Sequence, residues 1–215
     1  MLRTVDTVIK AQATWLIAGV LVAAYLASGF LPTSGMVVSG DSGLDVEEPW
    51  RLLSYTLVHV SPFHLLFNIL VLAAAGIYIE RNGNASLVLS AFVSGALAGA
   101  VAFIAVSTAS GFDDGILAGA SASAFAVAGA ALVRSAAKWL IPVVLVVLIT
   151  GSIGSAPGAA IAHIAGFGAG IALAWLWKAR SMKANPLLVK VQRSGYSSLS
   201  PEEKREFSTQ NNRPK

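Results

Sequence analysis

The sequence predicts an all-α fold, a polytopic membrane protein whose six spanning helices pack as a bundle. Three observations carry that expectation. Hydrophobic residues make up 55% of the chain and charged residues only 12%, with a mean hydropathy of +0.70, whereas a soluble domain carries about 25% charged residues. Charge-free runs extend from Ala11 to Gly40, Leu52 to Ile79, Asn82 to Phe112, Gly115 to Val133 and Trp139 to Trp177, and a spanning helix needs about 20 apolar residues. When successive loops are placed on opposite sides of a bilayer, every Lys and Arg up to Lys178 except Arg51 falls on one side, as the positive-inside bias favours.

The first helix falls at Ala13–Phe30, behind Arg3 and Lys10. That pattern can also be read as a secretory signal, but its apolar run is long and its removal would leave five spans with the termini on opposite sides, so the span is taken as retained. The second helix, Ser61–Ile79, opens on Ser61-Pro62, an N-cap followed by proline at the first helical position. The third is Ala85–Thr108. The fourth, Ala120–Val133, is short, so the segment Ser107–Ala118 before it is expected to dip into the membrane as a protein-buried loop. The last run holds two helices, Trp139–Thr150 and Gly158–Trp177, separated by the small, turn-prone stretch Gly151–Gly158. Trp139, Trp175 and Trp177 read as interfacial anchors, and the small residues of Ser94–Gly99 and Gly166–Gly170 read as surfaces where helices approach closely.

With the N-terminus inside, Arg3, Lys10, Arg81, Arg134, Lys138 and Lys178 all fall on the cytoplasmic side, and Asp41, Asp45, Glu47, Glu48, Asp113 and Asp114 fall outside. Of the basic residues up to Lys178 only Arg51 is left outside. The expected organisation is a cytoplasmic N-terminus over residues 1–11, a membrane domain over 12–178, and a basic, mostly disordered cytoplasmic tail over 179–215, in which Ser200-Pro201-Glu202-Glu203 can start a short helix. The net charge of +4 and the pI near 9.6 reflect this topology, which leaves a nucleic-acid partner only a weak alternative. No cysteine is present, which excludes disulfides and thiolate metal sites.

An ionisable side chain at membrane depth is costly and marks a candidate functional site. The three histidines lie in two motifs, HVSPFHLLFN at His59 to Asn68 and AHIAG at Ala162 to Gly166, and a third segment, GASAS at Gly119 to Ser123, sets serine in an apolar run. His64 and Asn68 are four residues apart, one above the other on a helix face. Asn68 stands thirteen residues before Arg81, Ser121 thirteen before Arg134 and His163 fifteen before Lys178, so all lie roughly 20 Å above the inner boundary at about 1.5 Å per residue. These three helices run in the same direction, and their polar groups therefore share one level. Polar groups there must face the bundle interior and water reaching in from outside.

A serine hydroxyl is a weak nucleophile that needs a base, and His163 is the natural one for Ser121. The side chains of His64 and Asn68, with the backbone N–H of Ser121 at a helix N-terminus, can stabilise the oxyanion of an acyl-transfer intermediate. Gly119 permits an unusual backbone angle and close approach beside the serine. No Asp or Glu lies at this level, so the chemistry is that of a dyad, with no metal or organic cofactor. Ser121 and Ser123 point about 200° apart on a helix, and only one of them can face His163. Taken singly, Ser121 and His163 are ordinary helix-packing residues. Their combination, in order and at one depth, points to hydrolysis. A transporter or channel would instead continue a polar path inward, and below Asn68, Ser121 and His163 the residues are almost all apolar or small.

Over about residues 12–178 the chain resembles the rhomboid intramembrane serine proteases. Glu48-Pro49-Trp50-Arg51 is similar to their E-x-W-R element, His59, His64 and Asn68 to their H-x4-H-x3-N pattern, Gly119-Ala120-Ser121 to G-x-S, and Ala162-His163 with Gly166 to A-H-x-x-G. The resemblance implies a six-helix bundle in a prokaryotic cell membrane and cleavage of transmembrane protein substrates near their outer ends. It implies Ser121 as nucleophile, His163 as base, and His64 and Asn68 as oxyanion-hole donors. It gives His59 a structural role holding the first outer loop, and Phe125 the place of an aromatic ring packed on the catalytic imidazole. The family commonly has glycine after the nucleophile, where this chain has Ala122. A non-catalytic rhomboid-like helix-binding or chaperone protein is the alternative, although such proteins usually lose the serine or histidine, and both are present here.

Overall fold

The structure is a computed structural model that describes residues 11–40, 47–81, 84–110, 115–134, 157–184 and 186–211. Its elements, in chain order, are α1 (Gln12–Ala27), a 3-10 turn (Ser34–Met36), β1 (Val38–Ser39), the single-turn α2 (Arg51–Ser54), a second 3-10 turn (Tyr55–Leu57), α3 (Pro62–Glu80), α4 (Ala85–Ser110), β2 (Ile116–Leu117), α5 (Ser121–Arg134), α6 (Pro157–Ala184), α7 (Pro186–Ser194), a third 3-10 turn (Tyr196–Ser198) and α8 (Pro201–Asn211). Five of the six expected crossings correspond to α1, α3, α4, α5 and α6. The expected helix Trp139–Thr150 lies outside the described residues, as do Asp41, Asp45, Asp113 and Asp114. Among the described residues α3, α4 and α6 are long and apolar enough to cross a membrane, and α1 and α5 are shorter apolar helices. The described residues divide into two compact units, one up to Ala174 and one from Trp175 onward.

The first unit carries large apolar side chains on its surface as well as in its core, and a few polar groups are buried among them. Leu16, Phe63, Leu66, Leu70, Val101 and Ile164 are exposed on the helices, whereas Thr14, Asn68, Ser121, Ser123 and His163 are buried. This distribution is stable when the surroundings are hydrocarbon and polar groups find their partners inside the protein. The helix α5 is buried along its length from Ser121 to Ala131. It can be central because its side chains are small. It packs on α3 and α4, and glycines on its neighbours meet its backbone: a Cβ on Gly166 would strike the Ala122 carbonyl oxygen, and one on Gly170 the Ala126 carbonyl oxygen.

The helix α3 starts as expected. Ser61 is its N-cap in extended conformation, Pro62 occupies the first turn, and the Ser61 hydroxyl accepts a hydrogen bond from the His64 N–H at 3.1 Å. At the other end of α3 the Glu80 carboxylate caps a different helix. It accepts from the backbone N–H groups of Ala13 (3.1 Å) and Thr14 (2.8 Å) and from the Thr14 hydroxyl, at the start of α1, where Ala11 provides no side-chain cap. A carboxylate at a helix N-terminus also meets the positive end of the helix dipole. Glu80→Ala strips these donors of their acceptor, so detergent-solubilised protein is expected to lose about 3 kcal/mol of stability, read as a lowered melting temperature. The conservative Glu80→Gln retains one acceptor oxygen and is expected to lose less.

The segment between α1 and α3 folds around Arg51, the one basic residue that the charge pattern leaves on the expected outer side. Its guanidinium pairs with Glu48 and donates to the carbonyls of Ser34 (2.8 Å) and Val37 (2.9 Å). Trp50 donates to the Gly35 carbonyl and Ser54 to that of Met36. The positive charge is therefore consumed in holding the loop together. Beneath it, Val38, Tyr55, Phe103, Ile104 and Leu117 form a buried apolar cluster against α4.

Two expectations are corrected. The segment Ser107–Ala118 is not a buried loop throughout: α4 continues to Ser110, and Ile116–Leu117 pairs antiparallel with Val38–Ser39, burying Leu117 and exposing Ile116. The strand supplies backbone partners that a loop at this place would otherwise lack. The tail, expected to be mostly disordered, contains two helices. Ser200 and Glu203 form a reciprocal capping box at the start of α8. The Lys190 ammonium pairs with Glu203 at 2.8 Å, holding that carboxyl below its ordinary range, and Tyr196 contacts the Phe207 ring while Leu199 is buried. These few contacts replace a conventional core.

Candidate active site

The backbone that leads into α5 is held from two sides. Gly119 has φ of +108°, a left-handed angle that side-chain-bearing residues rarely adopt, and its N–H donates to the Tyr55 carbonyl at 2.9 Å. A Cβ on Gly119 would also run into the His64 ring. The glycine is thus required twice, once for its angle and once for its missing side chain. Tyr55 is itself fixed, fully buried with its hydroxyl donating to the Ala96 carbonyl on α4 at 2.9 Å.

This places Ser121 at the first turn of α5, facing α6. Its Oγ lies 2.7 Å from Nε2 of His163, forty-two positions later in the chain, and both side chains are buried. That distance is a good hydrogen bond between a hydroxyl and an imidazole nitrogen. The Phe125 ring, one turn after the serine, lies 5.1 Å from the imidazole centroid at 59°, limiting the rotation of His163. Gly166, one turn after His163, lets α6 sit against the Ala122 backbone. Ala122 is itself accommodated by Gly99 of α4, where a Cβ would strike the alanine methyl group. The methyl group at the position after the serine therefore fits because the opposing helix carries a glycine. Ser123 points elsewhere: it is fully buried and its hydroxyl has no hydrogen-bond partner.

The second cluster joins His59, His64 and Asn68. His64 meets His59 edge-on at 5.2 Å between centroids, and its Nδ1 is buried without a hydrogen-bond partner. Asn68, 1% exposed, has its Nδ2 at 3.1 Å from Nε2 of His59. The same His59 nitrogen accepts from the Ala120 N–H at 3.4 Å. Three of the residues singled out in the sequence thus meet the short piece of chain Gly119–Ala120–Ser121: His64 at Gly119, His59 at Ala120 and His163 at Ser121, with Asn68 joined to it through His59. His59 differs in detail from the expectation, because its bonds run to Asn68 and Ala120 as well as to Leu57 of the preceding turn. Sequence reasoning missed Tyr55 and the Asn68–His59 bond, and neither has a local sequence signal. Among the described residues no group of three or more His, Asp or Glu side chains is placed to hold a metal ion.

His59 precedes α3 and is buried among N–H donors. Burial first, and the neighbouring His64 second, push its imidazole down to about 4, against an opposing hydrogen bond to the Leu57 carbonyl. An unfolded chain binds that proton below about pH 6.5, whereas the folded chain resists it until about pH 4. The stability this group contributes is therefore complete above about pH 6.5 and declines as the pH falls toward 4. Melting temperatures taken in detergent at pH 7, 5.5 and 4.5 are expected to fall along that series, and to fall less steeply for His59→Gln.

Comparison with known proteins bears on the family of the chain. Residues 46–180, well over half of the chain, match the Rhomboid domain family. The chain is 31% identical over 163 residues to a protein of Arabidopsis thaliana named RHOMBOID-like protein 4, an alignment that takes in 68% of this chain and 40% of that protein. The chain thus spans about two-fifths of the length of that relative.

Proposed function

This chain belongs to the rhomboid family, and from that premise we propose that it is an intramembrane serine endopeptidase acting on transmembrane segments of other membrane proteins. The observation that carries the proposal is the 2.7 Å contact between Ser121 Oγ and His163 Nε2 inside the bundle. In this reading Ser121 Oγ attacks the carbonyl carbon of a substrate peptide bond while His163 Nε2 takes its proton. The oxyanion is held by the side chains of His64 and Asn68 and by the Ser121 N–H. Collapse breaks the C–N bond, and His163 returns the proton to the leaving amine. Water then repeats the sequence on the acyl-enzyme, with His163 as base, releasing the new carboxylate and restoring the serine. Phe125 and close packing orient the imidazole where a carboxylate would serve in a triad.

The test is cleavage of a reporter transmembrane substrate by the full chain in proteoliposomes. Turnover by wild type that disappears in His163→Ala supports the proposal. Absence of turnover with a correctly folded wild type favours the non-catalytic helix-binding alternative.

The chain is an integral membrane protein, and its proposed place is the cell membrane of a prokaryote, with residues 12–178 as the membrane domain and both termini cytoplasmic. Basic residues flanking the helices and the basic tail support that orientation. Because the chain has no cysteine, Ser197→Cys supplies a unique reporter. A membrane-impermeant maleimide applied to intact cells is expected to leave it unlabelled, and labelling there would invert the topology.

A further inference from the structure

We infer that His59 is a positioning residue that fixes the Asn68 carboxamide and the backbone before Ser121 through one ring nitrogen. The inference rests on the hydrolytic reading above and adds to it a residue that touches neither substrate nor the reacting atoms.

The hydrogen-bond geometry determines what His59 is. Two N–H donors converge on its Nε2, the Asn68 Nδ2 at 3.1 Å and the Ala120 backbone N at 3.4 Å. Neither donor can accept, so Nε2 carries no proton and its lone pair faces both. The ring proton is then on Nδ1, which is 3.4 Å from the Leu57 carbonyl oxygen. This is the neutral tautomer with both nitrogens engaged. The ring is 5% exposed and is braced edge-on by His64.

That nitrogen links one of the three groups proposed to stabilise the oxyanion, the Asn68 side chain, to the backbone one residue before another, the Ser121 N–H. An Asn carboxamide can flip or rotate about its last torsion, which has no deep staggered wells. Accepting from Nδ2 distinguishes the amide end from the carbonyl end, directs the carboxamide, and leaves the second N–H of the same nitrogen for another acceptor. The bond from Ala120 N–H fixes the peptide plane between Gly119 and Ala120, directly before the peptide that carries the Ser121 N–H. Together with the Gly119 N–H bond to Tyr55, it restrains a segment whose glycine would otherwise be the most mobile point in the site. Displacements of about 1 Å in such donors are enough to reduce turnover markedly.

The experiment is a double-mutant cycle on the full chain in detergent, with kcat and KM for a reporter transmembrane substrate, measured well below each variant's melting temperature. His59→Leu removes the acceptor, His59→Asn keeps polarity but is too short to reach Asn68, and His59→Gln brings an acceptor oxygen near the place of Nε2. Each is made in the wild-type and Asn68→Ala backgrounds. His59→Leu, or His59→Asn if the leucine variant does not fold, is expected to lower kcat about 100-fold, the range for loss of one oxyanion donor, with KM changed less than about threefold. The same change in Asn68→Ala is expected to lower kcat by less than about tenfold, since part of its effect has already been removed. His59→Gln is expected to recover most of the lost turnover. Equal losses in both backgrounds, or a fall in melting temperature with kcat unchanged, would make His59 a loop support only and overturn the inference. A Ser121→Ala variant that keeps full turnover overturns the hydrolytic reading itself, and so separates the two failures.

Discussion

Ser121→Ala is expected to abolish cleavage of a reporter transmembrane substrate, with a loss of at least about 10⁴-fold, while the protein stays folded. The size follows from the role. Removing a nucleophile or its base from a serine hydrolase costs about 10⁴ to 10⁶ in kcat, and losing both costs little more than losing one. His163→Ala and the double variant are therefore expected to sit at the same residual rate. Folding survives because the change removes one hydroxyl whose hydrogen bond is to His163 alone among the described contacts, and alanine favours the first turn of a helix as well as serine does. Ser123→Ala is the necessary comparison. Its hydroxyl is buried without a partner, so that variant is expected to cleave at the wild-type rate and to be at least as stable as wild type. Activity retained in Ser121→Ala would remove the proposed nucleophile, and loss confined to Ser123→Ala would transfer that role.

The second large effect concerns the seam between α5 and α6. Gly170→Val is expected to destabilise the protein by about 3 kcal/mol or more and to take catalysis with it. A Cβ at Gly170 would overlap the Ala126 carbonyl oxygen, which is backbone and cannot rotate aside. The helices must then separate. Gly170 lies two turns beyond His163 on the same face of α6, so separation there withdraws the imidazole from Ser121. Gly168→Ala provides the control, because a Cβ at that position meets nothing within 4 Å, and alanine in a helix is favoured over glycine by about 1 kcal/mol. Melting curves and cleavage rates for the two variants should diverge sharply. A Gly170→Val protein with wild-type stability would mean that the seam is looser than this packing requires.

The parts of this protein that are legible in its sequence are those governed by short-range rules. Ser61-Pro62 announces the start of α3 because capping and the fixed proline angle are local. Ser121 and His163 emerge together because three similarly directed helices share one origin of depth, which converts residue counts into height. Ser200 and Glu203 mark α8 for the same local reason. What is not legible depends on chain segments meeting across long separations. Glu80 looks like an ordinary charge at a span end until α1 is placed beside it, sixty-six positions away. His59 reads as a loop residue until Ala120 arrives, sixty-one positions later, to donate to it. The tail reads as too polar to fold, since Tyr196, Leu199 and Phe207 give little apolar surface in a basic stretch. There a capping box, an ion pair and a ring contact cooperate, and none of them is strong alone.

The central claim is that the hydroxyl of Ser121 is activated by His163. It is tested most directly by treating the detergent-solubilised chain with a fluorophosphonate and locating the adduct by tandem mass spectrometry. The account predicts a stable phosphonyl adduct on Ser121, and none on any serine of the His163→Ala protein. An adduct on Ser123, or equal modification of Ser121 with and without the imidazole, would contradict it.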